Sequence, residues 1–182
     1  MTNFAKLREA FDVNWTSVFV GWRGLGPLSP WPNRWTEFPT LISPEEILAF
    51  AEERLTSASD PEQTLLTELL TLDVHNEPRE VIDSLLKKLS NLDGGDEKTE
   101  LRKWRVTLLE QLLETIPQDP IYGLLALTEF WQDFGCPPDS PHRVQGNDGS
   151  TPREYYTEQN FRKLLNNHHE WIESEKKQLK PV

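Results

Sequence analysis

A repeated helix-start pattern constrains the fold of this chain more than any other feature of its sequence. The pattern is a capping residue followed by a proline and, two residues after the proline, a carboxylate or amide. It occurs at Ser43-Pro44-Glu45-Glu46, Asp60-Pro61-Glu62-Gln63 and Thr151-Pro152-Arg153-Glu154, with a partial copy at Asp119-Pro120. The first side chain accepts a hydrogen bond from a free backbone N–H, proline supplies a helical φ, and the last side chain reaches back to the cap. The pattern therefore predicts several separate helices.

Apolar residues recur at three- and four-residue intervals after these starts, as in amphipathic helices. The first predicted helix begins after Ser43, the second runs from Pro61 to about Leu72, and the third runs from about Glu77 to Leu89. The fourth includes Trp104 and stops at Pro117. The fifth runs from Pro120 to Phe134, and the last carries Phe161 to Ile172. Short connections favour antiparallel neighbours. We expect an all-α fold of about six to seven helices in antiparallel pairs, as a helical bundle or a short superhelix. The helix from Pro120 is apolar nearly all round, which predicts that it lies in the middle of the bundle.

Residues 14–42 form a segment rich in Trp, Pro and Gly. Its first part, around Trp15 to Trp22, could begin a short helix or strand, but we expect a long ordered loop. Two of its tryptophans, Trp31 and Trp35, either plug the open end of a helical bundle or anchor a bound partner. The polar tail of residues 176–182 is expected to fray. We expect residues 1–182 to form one helical domain.

Composition points to a soluble, cytoplasmic protein. The chain of 182 residues contains one cysteine, Cys136, so an internal disulfide is excluded. No apolar run approaches the roughly 20 residues of a membrane-spanning helix, and the start of the chain has no apolar segment like that of a secretory signal. We therefore expect no membrane as a partner.

Charge is unevenly distributed along the chain. The net charge is −11, and residues 44–119 hold 18 acidic and 8 basic side chains. Such a surface repels phosphate backbones, so nucleic acid is not an expected partner, whereas a basic protein would be attracted over long distances. The candidate steering residues are Glu45, Glu46, Glu52 and Glu53. The alternative is that acidic faces only keep the protein in solution.

No catalytic or metal-binding constellation stands out. Cys136 and His142 are the one nucleophile and base pair close in sequence, and a lone cysteine is more often a small buried apolar residue. His168 and His169 are neighbours whose side chains point about 100° apart on a helix, which disfavours a shared metal ion. We expect His168 to be a hydrogen-bonded core residue and His169 to point outward. The chain is therefore expected to work without catalysis, metal or cofactor.

The order of several short motifs resembles the bacterial family known as domain of unknown function 2247. The motifs are Asn14-Trp15 with Gly21, the segment from Ser43 to Ile47 leading into Ala49-Phe50-Ala51, Lys103-Trp104, Asp119-Pro120, and Trp131-Gln132-Asp133-Phe134 followed by Pro137. The resemblance implies a small, mainly helical bacterial protein, often encoded near polymorphic or contact-dependent toxin genes, where similar proteins are suspected immunity factors. The hypothesis is a non-enzymatic immunity protein that neutralises a cognate toxin, of basic nuclease type, through its acidic surface, with Trp31 and Trp35 as anchors. The alternative is a helical adaptor or regulatory scaffold that binds a peptide or protein in a groove.

Overall fold

The computed structural model describes residues 1–24, 40–147 and 149–180, and all regular secondary structure within them is helical. Nine helices are described: α1 Asn3–Ala10, α2 Trp15–Arg23, α3 Pro44–Leu55, α4 Asp60–Thr71, α5 Arg79–Asp93, α6 Glu97–Thr115, α7 Pro120–Asp133, α8 Pro152–Tyr155 and α9 Glu158–Leu179. The all-α prediction is confirmed. The predicted number of helices was too low, because α1, α2 and the short α8 were not recognised as separate elements.

The helices belong to two compact units. The first comprises residues 1–24 and 40–104 of the described chain, the second residues 105–147 and 149–180, and the division falls within α6. The expectation of one domain stays a prediction. Nowhere in these described ranges is a helix both long enough and apolar enough to cross a membrane.

The predicted helix starts are confirmed at two of the three full patterns. In the capping box of α3, the Glu46 N–H donates to Ser43 Oγ at 3.3 Å and the Ser43 N–H donates to Glu46 Oε2 at 2.9 Å. Thr151 and Glu154 form the same reciprocal pair before α8. At α4 the cap differs by one residue, because Asp60 is the first helical residue and Ser59 the N-cap. Proline at the start of a helix fixes the backbone even where no side chain caps it.

Helix α2 corrects the prediction of a long loop at the start of residues 14–42. Asn14 caps this helix: its side chain accepts from the Ser17 N–H at 2.9 Å, and its own N–H donates to Ser17 Oγ at 3.2 Å. Residues 15–22 are all buried. A helix buried on every side lacks the polar stripe by which amphipathic helices are recognised, which is why the periodicity missed it. Trp31 and Trp35 lie outside the described residues.

In the first unit, α2 packs on α5, α3 on α4, and α4 on α5. The link between α3 and α4 is only residues 56–59, as expected for a helical hairpin. The core between these helices contains Trp15, Phe50, Leu66 and Leu86, none of them more than 4% exposed.

In the second unit, α7 packs on α9, and one sequence prediction fails here. Helix α7 is not buried all round, because Ile121, Tyr122 and Leu125 on one face are 48%, 67% and 40% exposed. Helix α9 continues to Leu179, so the first residues of the predicted tail are helical, and fraying of the tail stays a prediction. Leu179 is only 8% exposed, so burial of this side chain holds the last turn in place.

Candidate functional site

The four carboxylates predicted to steer a partner, Glu45, Glu46, Glu52 and Glu53, all lie on α3. Three of them are exposed, and Glu46 is half-buried. Their placement on one short helix is as predicted. What the sequence could not show is how many of these charges are already engaged within the molecule.

Glu46 and Glu53 tie α3 to α1. Beyond its part in the capping box, Glu46 accepts a hydrogen bond from Thr2 Oγ1. Glu53 accepts two hydrogen bonds from the guanidinium of Arg8, at 3.1 and 2.6 Å, and this contact lowers the pKa of Glu53. Bidentate pairs of this kind fix geometry as well as charge. These two carboxylates therefore have a structural role that competes with partner binding.

Glu45 is also engaged, but more weakly. Its carboxylate lies 3.4 Å from Nε2 of His75, and both side chains are well exposed. A hydrogen bond from Ser43 is the main cause of its lowered pKa. Exposed contacts of this type contribute little to stability, so Glu45 can exchange His75 for another partner.

Glu52 differs from the other three α3 carboxylates. It is exposed, and no ion pair joins it to any residue that the structure describes. Asp60 and Glu68 on α4 are likewise exposed and form no ion pair with a residue that the structure describes. We call Glu52, Asp60 and Glu68 the hairpin carboxylates, since α3 and α4 form one hairpin. Asp60 and Glu68 were missed by the sequence reasoning, although their spacing of eight residues places them on one side of a helix.

Other acidic residues of the first unit are turned inward, around the start of α2. Glu62 accepts a hydrogen bond from Trp15 Nε1 at 2.9 Å, and Asp93 accepts one from the Trp15 backbone N–H. Arg54 lies 3.6 Å from Glu62 and 3.8 Å from Asp93. Burial raises the pKa of Asp93, against the opposing effect of the Trp15 N–H. Negative groups stabilise a helix N-terminus, so these acids anchor α2 and add little to the surface charge.

A third inward carboxylate, Glu100, joins the same region. It is 3% exposed, and its partners are Lys103 Nζ at 2.8 Å and the Ser17 hydroxyl. Lys103 Nζ also donates to the Asp12 carbonyl at 2.8 Å. Four of the motif residues contact one another or a common neighbour in the first unit: Asn14 and Lys103 both bind Glu100, and Gly21 lies against Trp104, so these four act in packing and helix anchoring.

The second unit holds three of the four histidines, His142, His168 and His169. His168 is fully buried, accepts a hydrogen bond at Nε2 from Trp131 Nε1 at 2.8 Å, and donates from Nδ1 to the Leu164 carbonyl at 2.5 Å. Burial lowers its pKa to about 4. The predictions of a core His168 and an exposed His169 are confirmed.

Cys136 and His142 line one cavity of the second unit. Cys136 is exposed and has a left-handed backbone with φ of 49°, whereas His142 is 9% exposed. Within the described ranges, no group of three or more His, Cys, Asp or Glu residues is placed to hold a metal ion. That the protein needs no metal stays a prediction.

Comparison with known proteins yields one match. A family model described as an uncharacterized protein conserved in bacteria (DUF2247) covers residues 5–176. No curated protein and no solved structure matches the chain. Because the family model covers nearly the whole sequence, the chain belongs to the bacterial family DUF2247.

Proposed function

We propose that this protein is a non-enzymatic immunity protein that binds and neutralises a cognate bacterial toxin of basic nuclease type in the cytoplasm of the cell that makes it. The observation that carries the proposal is the set of exposed hairpin carboxylates, Glu52, Asp60 and Glu68, which have no ion pair within the described residues. Charges already paired inside a protein attract a partner only weakly, whereas unpaired ones act over about one Debye length.

The charge of the first unit supports the same proposal. Residues 1–24 and 40–104 contain 17 acidic and 10 basic side chains, a net charge of −7. A nuclease that binds nucleic acid presents a basic cleft to the phosphate backbone. Carboxylates on a preformed helical hairpin can occupy such a cleft without the ordering cost that a disordered acidic segment pays.

The experiment is binding to the purified product of the toxin gene that the proposal expects beside the gene for this protein. Association should be fast at low salt and slow markedly as salt rises, because screening weakens the long-range attraction. A single tightly held partner is expected for an immunity protein, and loss of toxin activity should follow binding. No complex at micromolar concentration would overturn the proposal.

The surface is tested by charge reversal with a matched control. The triple variant Glu52→Lys, Asp60→Lys and Glu68→Lys should slow association by about tenfold or more while changing dissociation little. The control, Glu129→Lys, Glu170→Lys and Glu173→Lys, makes the same change in net charge at exposed carboxylates of the second unit. Equal slowing by the two triples would show that total charge, and not the hairpin, governs the encounter.

A further inference from the structure

A small polar cavity of about 120 Å³ lies in the second unit. Its lining comes from helix α9 and from residues that precede it in the chain, among them Arg143, Glu154 and Tyr155. The volume is below the range typical of sites for drug-sized ligands. At about 30 Å³ per water molecule, the space holds about four waters, which is close to the size of one tetrahedral oxyanion.

Helix α9 contributes four residues to this lining, Asn160, Lys163, Leu164 and Asn167. Because the last three follow Asn160 by three, four and seven positions, all four lie on one face of the helix. Leu164 is 3% exposed, so the helix is packed against its own unit at this point. A well-packed helix therefore places one cation and two side-chain amides in the lining.

Hydrogen bonds tie the rest of the lining to α9. The Tyr155 hydroxyl donates to the Arg143 carbonyl at 2.6 Å, and Asn160 Nδ2 donates to the Tyr155 carbonyl at 2.8 Å. Tyr155 is itself 3% exposed. The backbone at Arg143 is thus connected to α9 through one buried side chain. A cavity that is already formed lowers the cost of binding a ligand.

The lining carries an excess of positive charge. Arg143 and Lys163 are exposed, and no ion pair joins either one to a residue that the structure describes. Glu154 is the one acid among the described lining residues. Its Oε2 accepts from the N–H and the hydroxyl of Thr151, both at 2.8 Å, so this carboxylate is engaged in the capping box of α8.

Two cations that line the same small cavity repel each other, and an anion bound between them offsets that repulsion. The chain contains 30 acidic and 19 basic side chains, so carboxylates are plentiful as partners. Arg143 and Lys163 nevertheless line one cavity without forming an ion pair with any described carboxylate. This combination favours an anion that comes from outside the chain.

We propose that this cavity binds one tetrahedral oxyanion, either inorganic phosphate or the phosphate group of a monoester. Arginine and lysine are the usual cations of phosphate sites, and they form strong charge-assisted hydrogen bonds with phosphate oxygens. The side-chain amide of Asn167 supplies further N–H donors. A neutral ligand would leave the two cations without a counter-charge. The inference does not depend on the proposed function.

The site is tested on the full chain by NMR titration of the ¹⁵N-labelled protein with sodium phosphate, in HEPES buffer, with sodium chloride replaced so that ionic strength stays constant. The side-chain NH₂ resonances of Asn160 and Asn167 should shift and saturate with a dissociation constant of about 1 mM. Shifts that do not saturate, or that are confined to other regions of the chain, would overturn the proposal.

Three variants identify the groups that bind. Lys163→Gln and Arg143→Gln should each weaken phosphate binding by about fivefold or more, and both positions are exposed, so the fold should be kept. Glu154→Gln keeps a side chain that can cap α8 but removes the negative charge, so it should strengthen binding severalfold.

Lys177→Gln is the matched control for Lys163→Gln. It makes the same change in charge at an exposed position of α9, about 21 Å away along the helix axis, which is about two Debye lengths at 0.1 M salt. Phosphate affinity should therefore be unchanged. Equal weakening by the two lysine variants would show that phosphate responds only to total charge, and the proposed site would be wrong.

Other anions test the shape of the ligand and identify its source. Acetate is planar and singly charged, so it should bind about tenfold more weakly than phosphate, and equal affinity would overturn the assignment to a tetrahedral oxyanion. Glycerol 3-phosphate separates the two sources. Affinity equal to that of phosphate assigns the site to a phosphate monoester, whereas binding about tenfold weaker assigns it to the free ion.

Discussion

The indole ring of Trp104 lies directly against Gly21: a Cβ added at Gly21 would stand 2.5 Å from Cζ2 of that ring. The same indole donates from Nε1 to the Ser17 carbonyl at 2.8 Å. Gly21 and Trp104 are both among the residues by which the sequence resembles its family. Their contact shows that α2 and the first part of α6 approach too closely for any side chain at position 21.

Gly21→Ala should lower the free energy of unfolding by about 1–3 kcal/mol, the usual cost of overpacking a dense core. The measurement is urea unfolding followed by circular dichroism. Trp104→Phe provides the control, because the smaller ring removes the atoms that the new methyl group meets. The double variant should therefore lose less stability than the sum of the two single variants. Additive losses would mean that the two residues are not coupled in this way.

Lys103→Met should destabilise the protein by about 3 kcal/mol or more. The substitution removes the cation bound to Glu100, and both side chains are at most 10% exposed. A buried carboxylate that loses its cation bears the full cost of desolvation. Replacing both residues, with Glu100→Leu added, should recover part of the loss, because no uncompensated charge then remains.

The surface pair Arg162 and Glu158 is the control for the buried one. Its side chains are 75% and 55% exposed, and Arg162→Met should change stability by no more than about 0.5 kcal/mol. Comparable losses at the two pairs would show that Glu100 is better solvated than its position indicates.

Glu53→Lys should loosen α1 from α3, because it replaces the two hydrogen bonds from Arg8 with repulsion. The pair is substantially exposed, so the loss is expected to be about 1 kcal/mol or less. Amide hydrogen exchange should accelerate in α1 and little elsewhere. Adding Arg8→Glu restores opposite charges and should restore protection, whereas persistent fast exchange would indicate that packing and not the ion pair holds α1.

The parts of this fold that can be predicted from the sequence are those stabilised by contacts between residues close together in the chain. Helix starts at Ser43 and Thr151 could be found because a cap and its reciprocal carboxylate lie three residues apart. Helix α2 could not be found, since burial on all sides depends on contacts with distant helices and leaves no periodic polar stripe. The exposed face of α7 was missed for the opposite reason: apolar residues predict burial, although folded proteins leave much apolar surface exposed.

The sequence predicts that the candidate site is acidic, but it does not predict which acidic residues belong to it. Sequence identifies Glu52 and Glu53 as adjacent acids on the outer flank of one helix. It cannot show that Glu53 is bound to Arg8, 45 positions away, while Glu52 has no such partner in the described part of the chain. Partner choice of this kind is set by tertiary contacts, which act between residues far apart in sequence.

The two buried histidines predict how stability depends on pH. Burial lowers the pKa of His142 to about 3 and that of His168 to about 4, from an ordinary value of 6.5. Between about pH 6.5 and those values the unfolded chain binds more protons than the folded one, so stability should fall as the pH falls through this window, by up to about 1.4 kcal/mol per pH unit for each histidine. His168→Gln keeps an acceptor for Trp131 and should make the slope shallower in urea unfolding series, whereas His169→Gln, at an exposed position on the same helix, should leave it unchanged. A slope that His168→Gln does not alter would mean that this histidine is already protonated in the folded protein.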